Sequence, residues 1–211
     1  ILFLYVFSVK ESARKNKIHI NPMKGIKEFL SHKKLKGIAI LGMVMHATNP
    51  AINIFLPLFI IQALGMRISY VGYAYFFLTV THILQFEFGK ISDKYGTWKV
   101  VLLGCIISAL GMCLITLSSS FLLLSLILLF RGIGNSMWNV SAWNLMSDIG
   151  EKIKREGTIV TSYMSLAKIG SFVSFLLSGL IVTIFGMKLL FMLNGLIILI
   201  GVGVSYIFLK E

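Results

Sequence analysis

Charge is what this sequence has least of. Only 13% of its 211 residues are Asp, Glu, Lys or Arg, about half the ~25% of an ordinary soluble domain. Acids are scarcest, with eight against twenty Lys and Arg. A soluble globule of this size could not hide the 57% of residues that are hydrophobic; it would expose one large apolar patch. Cysteine is nearly absent. Cys105 and Cys113 lie eight residues apart in one apolar run, and on a helix that is about 12 Å, too far for a disulfide. A disulfide-stapled secreted domain is excluded. The apolar run at 1–9 has no basic leader before it and no small-residue cleavage site after it, so it does not read as a signal peptide. It reads as the end of a span that begins upstream.

What remains is an all-α integral membrane protein, with a mean hydropathy of +0.88. Apolar runs fall at about 38–62, 70–88, 98–117, 121–146, 158–183 and 188–208. Each approaches the ~20 residues that cross the hydrocarbon as a helix, and each is too long for a barrel strand. The expected organisation is a span end at 1–9, a basic cytoplasmic linker at 10–37 and a six-helix bundle at 38–211.

The basic residues sort by topology. Sixteen of the twenty fall in the linker, in alternate loops, or at Lys210: nine at 10–37, then Lys90, Lys94, Lys99, Lys152, Lys154 and Arg155. The opposite loops hold Arg67 and Lys188, and Arg131 and Lys168 fall within spans. Lys and Arg accumulate in cytoplasmic loops, so the linker and C-terminus are placed inside a cell membrane. The net charge of +12 is thereby explained without nucleic acid. The stretch from Pro22 to Leu30 suits either a tether between two bundles or a short interfacial helix touching anionic lipid.

The second inside loop reads Gly89-Lys90-Ile91-Ser92-Asp93-Lys94-Tyr95-Gly96-Thr97-Trp98-Lys99. Gly96 permits a turn with positive φ. Asp93 is a lone acid among lysines, able to pair with them or with a helix N-terminus, and such contacts can latch one conformation. This stretch resembles the signature loop of the major facilitator superfamily, G-x-x-x-D-[RK]-x-G-[RK]-[RK]. Gly89, Asp93, Lys94, Gly96 and Lys99 match; Thr97 or Trp98 stands where the pattern has a further basic residue. Arg131-Gly132-Ile133-Gly134 resembles the family's R-G-x-G element, and the run from Gly170 to Lys188 resembles the end of a half. The resemblance implies a three-plus-three inverted repeat forming half of a twelve-helix fold, with the N-terminal six-helix half outside this chain. It further implies secondary transport of a small solute by alternating access, with the loop motif as the latch.

Polar residues at membrane depth are costly and point to function. The first run carries His46, Asn49 and Asn53 at helical spacing on one face, beside Pro50 and Pro57, which break backbone hydrogen bonds. The fourth carries Arg131, Asn135 and Trp138 on one face, with Asn139 at its edge. The fifth carries Lys168, and the second His82 with Tyr75 and Thr79. His46, Asn49, Asn53, His82, Arg131, Asn135, Trp138 and Lys168 are therefore the candidate substrate-binding residues, each weighed against a packing role. Gly170, Ser174 and Ser178 read as helix packing. Glu87, the one acid inside a run, reads as the partner of a basic loop residue. Two in-span cations against one marginal acid favour an anionic organic substrate, and a histidine could carry protons. A multidrug efflux carrier is the alternative. Neither a paired nucleophile and base nor an H-E-x-x-H set occurs, so no enzyme, metal or cofactor is expected.

Overall fold

The computed structural model describes residues 22–210. The expected span end at 1–9 and the basic residues from Lys10 to Lys17 lie outside them. All regular elements among the described residues are helical. In order they are α1 (Pro22–Ser31), α2 (Lys33–Ala47), a π-helical stretch Ala51–Phe55, α3 (Leu56–Leu58), a second π stretch Phe59–Ala63, and α4 (Ser69–Thr79). A 3-10 stretch Val80–Leu84 follows, then α5 (Gln85–Tyr95), α6 (Thr97–Ile115), α7 (Phe121–Lys152) and α8 (Glu156–Leu209).

Among the described residues four stretches are long and apolar enough to cross a membrane: Lys33–Ala63, Thr97–Ile115, Phe121–Lys152 and Glu156–Leu209. The last has 54 residues, which at 1.5 Å each is about 81 Å, far beyond one crossing. Gly186 divides it: φ 83° and ψ 167° lie outside any helix, and a glycine tolerates them without strain. The run expected to cross at 70–88 is built from α4, the 3-10 stretch and α5, none long enough alone.

The prolines explain the first span. Pro50 and Pro57 have no amide to donate, so the ladder widens around them into i→i+5 bonds, with the Leu56 amide reaching the Ala51 carbonyl. The Ile52 carbonyl then has no amide: Leu56 is engaged and Pro57 has none. The Tyr75 hydroxyl on α4 supplies the missing donor at 2.9 Å.

Helix α2 packs on α8, α6 on α7 and α8, and α4 and α5 on α7. The α6–α7 contact is backbone to backbone. A Cβ on Gly104 would strike the Trp138 amide and the Gly134 carbonyl; one on Gly134 would strike the Ser108 amide and the Gly104 carbonyl. Phe59 and Phe191 meet edge to face at 5.6 Å between centroids in the core. The outer surface is apolar, with Leu122, Phe172, Leu176, Ile200 and Ile207 all exposed. In water such a surface would drive aggregation; in hydrocarbon it is solvated.

Within 22–37, where a linker was expected, the chain is helical and packed. Phe29 of α1 is fully buried, and Arg155 donates to Glu28 at 2.6 Å.

Candidate functional site

Ser120 starts α7 by accepting the Leu123 amide at 3.3 Å. Arg131 lies about 15 Å along α7, a distance equal to half the thickness of a bilayer's hydrocarbon. Its side chain is 4% exposed. A guanidinium cannot give up its charge, so burying it demands hydrogen-bond partners. One is Thr48 Oγ1, which accepts from Nη2 at 3.1 Å. Thr48 in turn donates to the Met45 carbonyl at 2.8 Å, so its lone pairs face the arginine. Among the described residues Arg131 Nε has no partner, nor has Trp138 Nε1 two turns further along.

These residues line a cavity of about 310 Å³ between α2, the first π stretch, α4, the 3-10 stretch, α7 and α8. Six of the eight predicted binding residues line it: His46, Asn49, His82, Arg131, Asn135 and Trp138. The His46 ring meets Trp138 at 6.0 Å, nearly perpendicular. Asn49 Nδ2 donates to Ser171 Oγ at 3.0 Å, and Ser171 donates to the His46 carbonyl at 2.9 Å, tying α2 to α8. Across the cavity Asn135 Nδ2 and His82 Nε2 lie 3.4 Å apart, joining α7 to the 3-10 stretch. No carboxylate is among the described lining residues. A small polar anion would find one permanent cation, two imidazoles and several amides.

Asn53 and Lys168 are not brought in; both are exposed and neither lines the cavity. For Asn53 the reason is the π stretch. Constant helical spacing places residue 53 near the face of residues 46 and 49, but Asn53 lies within the i→i+5 turns of Ala51–Phe55, where that spacing no longer holds. Conversely, Thr48, Asn139, Trp143 and Tyr163 line the cavity. Thr48 was legible only as the polar neighbour of Asn49; Tyr163 carried no signal, since an aromatic in an apolar run reads as core.

The motif between the second and third runs is mostly helical. Gly89, Lys90, Asp93 and Lys94 lie on α5, and Gly96 alone, at φ 97°, turns the chain into α6. Asp93 is exposed and makes no ion pair among the described residues. Lys90 donates to Glu87 at 2.9 Å, as expected for that acid. Among the described residues no three His, Cys, Asp or Glu gather as a metal site would require.

Comparison with known proteins bears on the whole chain. The family model of the Major Facilitator Superfamily matches residues 2–211. A relative named an uncharacterized MFS-type transporter, from Methanocaldococcus jannaschii, is 26% identical over 185 residues. The match covers 85% of this chain and 46% of the relative, so the chain spans about half the length of the protein it matches.

Proposed function

The chain belongs to the Major Facilitator Superfamily, and from that premise we propose that it is the C-terminal half of a secondary transporter. The protein carries a small anionic organic solute across the cell membrane by alternating access. The observation that carries this reading is Arg131, a buried cation lining a mid-bundle cavity with no carboxylate among its described lining residues. An unpaired buried charge is costly, and an anionic ligand relieves it. The span Lys33–Ala63, α4 to α5, α6, α7 and the two parts of α8 then make six crossings. The linker and Lys210 face the cytoplasm, and the other six-helix half closes the cavity. His46 and His82 are the candidate proton carriers, being the titratable imidazoles at the cavity.

Trp138, Trp143 and Tyr163 at the same cavity favour a second reading, efflux of bulky lipophilic compounds. A flux panel in proteoliposomes containing the full-length protein separates the two. Uptake of small carboxylates, accelerated by an inward proton gradient and competed by unlabelled anion, is the expected result. Transport of lipophilic cations with no response to carboxylates would overturn the anionic assignment.

A further inference from the structure

The basic end of the bundle carries a feature that the cavity does not use. Trp98 at the start of α6 and Tyr206 near the end of α8 lie with ring centroids 6.1 Å apart. Each ring carries an ammonium. Lys99 Nζ stands 5.8 Å from the Trp98 centroid, and Lys210 Nζ stands 5.5 Å from that of Tyr206. Two helices distant in sequence thus bring two aromatic rings and two cations to one place at the same end of the bundle.

The neighbouring lysines differ. Lys90 also lies over a ring, that of Phe86, but Glu87 neutralises it at 2.9 Å. Lys94 lies over Tyr95 beside Asp93 in sequence. Lys99 and Lys210 make no ion pair with any described residue, and both are exposed; Glu211 lies outside the described residues. Below each lysine the helix surface is apolar. Leu103 is one turn along α6 from Lys99 and Leu110 two turns further, while Ile207 and Ile200 lie below Lys210 on α8, all of them exposed.

We propose that Lys99, Lys210, Trp98 and Tyr206 form a binding site for the headgroup of an anionic phospholipid. The two ammoniums attract the negative charge of a phosphodiester; Trp and Tyr sit at headgroup level by their amphipathic nature; the exposed leucines and isoleucines receive the acyl chains. A soluble phosphate would find the cations but not the apolar rows. The site is independent of the cavity, and on the topology proposed above it lies in the inner leaflet, where anionic lipids are drawn to basic residues.

The test is native mass spectrometry of the detergent-purified full-length protein, titrated with phosphatidylglycerol and, separately, with phosphatidylcholine. The wild type is expected to retain phosphatidylglycerol preferentially. Lys99→Gln with Lys210→Gln should weaken that retention roughly thirty-fold, about five-fold for each lysine near the surface. Lys33→Gln with Lys36→Gln, two exposed lysines outside the cluster, should leave it unchanged. Equal loss in both double variants would show general basic attraction and overturn the site. So would equal binding of both lipids by the wild type, or displacement of phosphatidylglycerol by inorganic phosphate. A Lys99/Lys210 variant that melts as the wild type does but still prefers phosphatidylglycerol would overturn it as well.

Discussion

The Tyr75 hydroxyl donates to the Ile52 backbone oxygen at 2.9 Å, and that oxygen is the one Pro57 leaves without an amide. A side chain on α4 thereby completes the hydrogen bonding of a disrupted span, and couples the bend in that span to the position of its neighbour. Within hydrocarbon no water can take the place of this donor.

Tyr75→Phe should therefore cost about 1 kcal/mol, the usual worth of such a bond with its acceptor stranded. Thermal unfolding in detergent would measure it. Pro57→Ala returns an amide to position 57, so Tyr75→Phe should cost less in that background. A double-mutant cycle with no coupling between the two would contradict the account.

Arg131 and Lys168 should separate. Arg131→Gln removes the cation that lines the cavity and is expected to abolish binding of an anionic substrate. Lys168→Gln, outside the lining, should reduce it less than ten-fold. Arg131→Lys keeps the charge but not the fork of donors, so Thr48 and a ligand can no longer both be served; a large affinity loss is expected there too. Binding by isothermal titration to the purified protein would rank the three, and equal effects at 131 and 168 would refute the assignment.

Asp93→Asn tests the latch implied by the family pattern. Asp93 lies on α5, away from the cavity. Turnover should fall several-fold while substrate affinity holds. Initial-rate uptake set against equilibrium binding reads the two separately, and unchanged turnover would remove Asp93 from the conformational cycle.

Gly104→Ala should destabilise the bundle by roughly 1–3 kcal/mol, because the new methyl would meet the backbone of α7 with no flexible side chain to yield. Gly72→Ala is the control: nothing lies within 4 Å of its added carbon, and a change within about 0.5 kcal/mol is expected. Melting temperatures of the two variants decide it.

The membrane, the helices and the family were legible from residue order alone. Long apolar runs with so few charges leave the backbone only one way to satisfy its own polar groups in lipid, and that constraint acts within each segment. The faces bearing Arg131, Asn135 and Trp138, and His46 with Asn49, were legible too, because a regular helix repeats at a fixed angle. The rest depended on contacts between segments. Pro50 and Pro57 marked a disturbance, yet only the packed structure shows it widening into π turns, with Asn53 among them and outside the cavity. Lys168 shared the depth of Arg131 but not its surroundings. Thr48 became the arginine's partner only when α2 met α7, and Tyr75 the partner of Ile52 only when α4 met the bend. Sequence determined that the segments are helical and apolar enough for a membrane, and which residues each could offer. Tertiary structure decided which of those residues meet, because the helix register and rotation that bring them together are set by backbone contacts such as Gly104 on Gly134, between residues thirty positions apart.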